Sequence, residues 1–221
     1  DGIDPSTWTD QNAAKQNIGR VVVNGTTKTA ILGSNVLMES MYIGADDTFD
    51  LSNTGYTASV RGSWTNTNAF LPRTGTVAFV GTTTNVVANG ASNFYNLTFN
   101  GAGGVWSFAT ASLTIENDFT IATGTVTMPT ATTTIAGSFL NTGGTFAHNN
   151  ATVRFTSASS ELITLSGTVF TNAFYNALFS GSGSWSFVGP HATTTNAFTI
   201  TQGTVTLPTS TLAIGGVFAQ T

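Results

Sequence analysis

Residues 104–141 say nearly the same thing twice. GVWSFATASLTIENDFTIAT is followed by GTVTMPTATTTIAGSFLN, and the two superpose at a spacing of 20. Gly104 falls on Gly124, Trp106 on Val126, Phe108 on Met128, Ile115 on Ile135 and Phe119 on Phe139. Within each block apolar residues alternate with polar ones, and period 2 is the signature of a strand, because successive side chains point to opposite faces. Three short strands per block, separated by Gly, Thr, Asn and Ser, make one rung of a β-solenoid. A β-sandwich built of repeats is the rival, since short strands with regular turns suit it too. The self-match favours the solenoid, because sandwich strands need not resemble each other.

A longer repeat overlies the short one. SWSFVGPHATTTNAFTITQGTVTLPTSTLAIGGVFAQT at 184–221 repeats the block that begins at Val105, at a steady spacing of 79. Trp106 falls on Trp185, Phe119 on Phe198, Ile121 on Ile200, Ile135 on Ile214 and Phe139 on Phe218. NFYNLTF at 93–99 returns as NAFYNALF at 172–179, and TFDLSNTGYTASVRGSWTN at 48–66 is a diverged third copy. The spacing reads as about four rungs. It divides the chain into an N-terminal cap, arm or linker at 1–19 and a solenoid at 20–221, with copies near 35–112, 113–191 and, in part, 192–221. In the first copy Val36, Met38, Ile43, Phe49 and Leu51 are expected to point inward. Gly104, Gly124 and Gly203 each open a rung, where a corner asks for positive φ. The Thr/Asn/Ser-rich stretches 81–92 and 157–171 differ in length and are expected to loop out.

Composition removes several classes. Charged residues are 7% of the 221, against about 25% in ordinary soluble domains. Sixteen Phe and four Trp nevertheless supply ample core, which argues against disorder. No apolar run is long enough for a spanning helix, so membrane insertion is not expected. The net charge is −4, and the six cations Lys15, Arg20, Lys28, Arg61, Arg73 and Arg154 are scattered, which excludes a nucleic-acid stripe. Absence of Cys excludes disulfides and thiolate metal sites. Beyond Glu161 no Asp, Glu, Lys or Arg occurs. Such a surface suits assembly, covering or glycosylation better than a free monomer.

The phrases FYNLTFNGAGGVWSF, LTIENDFTIATGTVTM, TIAGSFLNTGGTF and ATVRFTS resemble the repeats of long bacterial cell-surface proteins of the β-solenoid adhesin or surface-fibre type. The resemblance covers about residues 35–221. It implies an architecture and an extracellular, cell-surface setting. It carries no catalytic motif.

The candidate sites follow from residue type and spacing. Only Asp46, Asp47 and Asp50 cluster among the acids; a solvated turn is the reading, with a weak calcium site as its alternative. Glu116 and Asp118 are read as exposed at a corner. His148 and His191 lack metal partners and are read as surface residues. Thr125, Thr127, Thr204 and Thr206 have the spacing of ice-binding ladders, but the rungs between do not keep Thr in step, so they are read as ordinary strand threonines. Asn24-Gly25-Thr26, Asn96-Leu97-Thr98 and Asn150-Ala151-Thr152 match the glycosylation acceptor pattern. No cofactor and no catalytic residue is expected, since carboxylates are too few and too dispersed for glycan cleavage. Trp8 is an anchor, within either a tethered cap or a docking arm. With Ile214, Val217 and Phe218 in the last rung, which breaks off inside a repeat, it is the expected self-assembly surface. The function expected is a structural subunit of a surface filament, stacking head-to-tail on copies of itself by strand pairing. The alternative is a stalk segment of a larger adhesin, and a polysaccharide-active enzyme comes third. Surface glycans are a further expected partner.

Overall fold

A strand with an apolar residue at every second position hides one face, while its backbone donors and acceptors stay in its plane and need partners. A coil that lays each strand beside its own equivalent one turn later meets both demands. The computed structural model, which describes residues 5–167 and 171–221, is such a coil. It is an all-β parallel solenoid of about eleven turns, with no helix among the described residues. Every strand pairing in it is parallel.

Each turn contributes to three faces. The first holds Ser6–Trp8, Thr29–Leu32, Thr48–Asp50 and Ala69–Leu71. It resumes beyond Phe94, which bridges to Ile115, as Leu113–Ile115, Thr132–Ile135 and Thr152–Phe155. The second holds Val36–Met38, Thr57–Val60 and Thr76–Phe79, then the start of Asn96–Phe108. The third holds Arg20–Val23, Ser40–Ile43, Trp64–Asn66 and Thr84–Ala88, then the end of Asn96–Phe108. Asn96–Phe108 and Phe119–Thr127 therefore run round a corner from one face to the next. The advance per turn is uneven: it is short where Ala58 lies opposite Val77 and long where Phe139 lies opposite Ile163.

The short self-match is strand register. Trp106 sits opposite Val126, Ile115 opposite Ile135 and Phe119 opposite Phe139. Like side chains consequently stack inside: Phe99, Phe119 and Phe139 are fully buried, with centroids 5.9 and 5.5 Å apart. Burying one such ring stabilises by roughly 1.5–3 kcal/mol, and each aromatic pair adds about 0.5–1.5 kcal/mol. Val36, Met38, Ile43, Phe49 and Leu51 all point inward, as their alternation requires. The corners are pinned by glycine. A β-carbon on Gly124, at φ +84°, would lie 2.5 Å from Cζ3 of Trp106, and Gly203, at φ +79°, stands over Trp185 in the same way.

Three expectations about the fold need correction. The long spacing falls one face short of four turns. From Leu97 the register runs through Phe119, Phe139 and Ile163, and only the fourth turn reaches Phe187. Leu97 lies on the second face, whereas Ala177, its counterpart in the next long copy, lies opposite Val153 on the first. Each long copy is thus set back by one face, because the turns it spans are longer than the short repeat. The polar stretches do not simply loop out either. Thr84–Ala88 and Ser160–Leu165 are ladder strands, whose alternation is masked by an inward Asn85 and an outward Leu162. Finally, positive φ falls on Gly103 rather than Gly104; Gly104 is needed because a side chain there would meet the Trp106 ring.

Candidate functional site: the exposed turns

The last turn repeats the apolar pattern of the interior without its burial. Phe218 lies directly opposite Phe198, rings stacked at 6.0 Å, yet Phe218 is 53% exposed and Phe198 fully buried. Val217, opposite Ala197, is 62% exposed, and Leu207 is also exposed. Ile214 is half-buried against the core, opposite the buried Thr194. Ile200, Val205, Leu207 and Phe218 line one cleft of about 270 Å³ on this turn. The structure therefore brings Ile214, Val217 and Phe218 together on one turn.

Trp8 is at the opposite end of the described residues. Ser6–Trp8, within the stretch expected to be a cap, arm or linker, pairs with Thr29–Leu32 as part of the first turn. The Trp8 ring packs on Phe49 at 6.5 Å and is half-buried. Its carbonyl accepts the Gly33 amide, and beyond it the Asp10 amide donates to Oγ of Ser34 at 2.7 Å. Trp8, Ile18 and Val36 line an open cleft of about 550 Å³ beside that segment.

The acidic cluster separates into unrelated roles. Asp46 is exposed at φ +69°. Asp47 and Asp50, read as solvated, are buried instead. Asp47 accepts the Gly25 amide at 3.1 Å and the Lys28 amide at 2.8 Å, closing the bend between two strands. Asp50 accepts two hydrogen bonds from Arg73 Nε and one from Nη2, the last at 2.8 Å, and these bonds raise the guanidinium pKa above its ordinary value. Among the described residues no group of three or more His, Asp or Glu is placed to hold a metal. Asp118 is half-buried rather than exposed, accepting the Ser138 amide at 2.9 Å, while Glu116 is exposed and accepts from Asn93.

His148 lies on Tyr175, with centroids 5.5 Å apart, and its Nδ1 accepts the Asn150 amide at 3.0 Å. Burial lowers its pKa. His191 starts the strand that pairs with Thr211–Ile214. Thr125 faces Thr145 on one side but Val105 on the other, and Thr127 faces Ser107 on one side but Ala147 on the other, so hydroxyls do not continue in step. Thr204 and Thr206 are exposed opposite Ser184 and Ser186. Of the acceptor-pattern asparagines, Asn24 and Asn150 are exposed. Asn96 is half-buried and accepts from Asn117 Nδ2 at 2.8 Å, one rung of an amide ladder that recurs as Asn196 to Asn176. Such ladders are legible only after register is known, because nothing in an Asn-rich chain distinguishes a stacked Asn from a solvated one.

Compared with known proteins, the chain matches no family model, no curated protein and no solved structure.

Proposed function

We propose that the chain is an extracellular structural protein that builds a surface filament by end-to-end stacking, its outer turn pairing strand to strand with a turn of another copy. The observation that carries this reading is the contrast within one column, Phe198 buried and Phe218 exposed. A further parallel turn would bury Val217 and Phe218 and pair the outer edge of Val217–Gln220, which has no strand beside it among the described residues, an association mode common to open sheet edges. The carboxylates support a non-enzymatic role, since Asp47, Asp50 and Asp118 are spent on backbone amides or Arg73. The stalk reading rests on the same column: the next turn of a longer adhesin chain would cover it equally well. Surface glycans are the partner class proposed for the flanks.

Electron microscopy of the native material, with Phe218→Asp as the comparison, tests the filament. Filaments whose axial repeat matches one chain, lost in Phe218→Asp while the monomer's far-ultraviolet spectrum is kept, are expected. Short rods that are the same in both proteins would refute stacking.

A further inference from the structure

The bend between Arg20–Val23 and Thr29–Leu32 brings three chemically complementary groups together. Asn24 is exposed, and its side-chain carbonyl lies over Gly44, where a β-carbon would stand 2.5 Å from Oδ1. The same missing side chain leaves room for Oδ2 of Asp47, 2.8 Å from that β-carbon position. Oδ2 in turn accepts the Gly25 amide hydrogen at 3.1 Å, and Oδ1 is fixed by the Lys28 amide. An electrophilic amide carbon, the backbone nitrogen next in sequence and a buried carboxylate therefore converge above one glycine. Gly25 adds no side chain of its own to hinder ring closure.

From this geometry we propose that Asn24–Gly25 is a self-modification site, with Asp47 acting as the general base for conversion of Asn24 to aspartate and isoaspartate. The Gly25 nitrogen gives its proton to Asp47 and bonds to Cγ of Asn24. The Cγ–Nδ2 bond breaks, and the proton leaves with ammonia. Water then opens the five-membered imide at either carbonyl, so one water is consumed and one ammonia released, with no oxidant or reductant. A positioned base contributes roughly a hundredfold or more to such proton transfers. The isoaspartate product adds a backbone atom to the bend whose amides hold Asp47, so modification loosens the brace between the first and second turns.

Two other Asn-Gly pairs in the chain serve as internal references. Asn89 is buried, with Nδ2 donating to the Ser92 carbonyl at 2.8 Å and Oδ1 accepting from Thr110 at 2.6 Å. Asn100–Gly101 lies within the strand Asn96–Phe108, and Gly101 is pressed against the carbonyl of Gly81. Neither has a carboxylate on its glycine amide among the described hydrogen bonds.

The test is peptide mass mapping of the folded protein after incubation at neutral pH, beside the same protein held unfolded in urea. Asn24 is expected to lose its amide roughly tenfold or more faster than Asn89 and Asn100 in the folded protein, and faster folded than unfolded. Folding ordinarily protects such sites, so a rate at Asn24 that is equal or slower when folded overturns the proposal. Asp47→Asn is expected to bring the folded rate down to the unfolded one or below it, and Gly25→Ala to slow Asn24 in both states. An unchanged rate in a folded Asp47→Asn protein removes Asp47 from the chemistry.

Discussion

The first and last turns carry the same apolar alternation and bury it differently. At the N-terminal side Val21 and Val23 are only 5% and 4% exposed, although no strand lies outside them among the described residues. At the other side Leu207, Val217 and Phe218 are open to solvent. The difference is one of bulk and crossing chain. Trp8 packs on the core cluster and shares a cleft with Val23, and the segment after it is tied to the second turn by the Asp10–Ser34 and Ile18–Leu37 hydrogen bonds. The last turn has Val205, Leu212, Ile214 and Phe218, an interior rung's pattern with no further turn laid over it among the described residues. Alternation decides which way a side chain points; whether it is buried depends on what sits on the next level.

Substitutions sharpen that contrast. The largest effect belongs to the interior: Trp106→Ala empties a fully buried position and is expected to cost about 3–5 kcal/mol in denaturant unfolding. Trp8→Ala removes a half-buried ring and is expected to cost about 1–2 kcal/mol, while making the first turn self-associate, visible as a raised weight-average mass in sedimentation. Phe218→Ala should change monomer stability by less than about 1 kcal/mol, for it gives up little burial. A cost at Phe218 equal to that at Trp106 would mean the last turn is covered, and the comparison would fail.

The smallest effect is at His148. Its folded pKa lies below its ordinary value because burial disfavours the imidazolium, and Nδ1 must stay unprotonated to accept the Asn150 amide. A lowered folded pKa gives stability that is fully present above the ordinary value of 6.5 and lost as the pH falls through the folded one. His148→Gln is expected to flatten the stability profile between neutral pH and that lower value. A profile unchanged by the substitution would rule out the coupling.

The repeat made the short-range register legible, since Trp106, Ile115 and Phe119 occupy inward positions whose partners one turn on are also apolar. It failed where inward positions are polar. Asn85 and Asn66 hold corners from inside, so their strands lose the alternating signature. Asp47 looked solvated because its neighbours in sequence are polar, and only the fold shows that its carboxylate closes a bend one turn earlier. The long spacing misled for a metric reason: similarity counts residues, while faces count turns, and the turns are of unequal length.

That inequality has a reach beyond the core. Since a long copy returns one face round from its predecessor, its surface features, such as the Asn117–Asn96 and Asn196–Asn176 rungs, wind about the rod like the thread of a screw. A flat wall lying against the rod would therefore read only a fraction of the copies. A partner that wraps would read them all, and would have to rotate as it climbed.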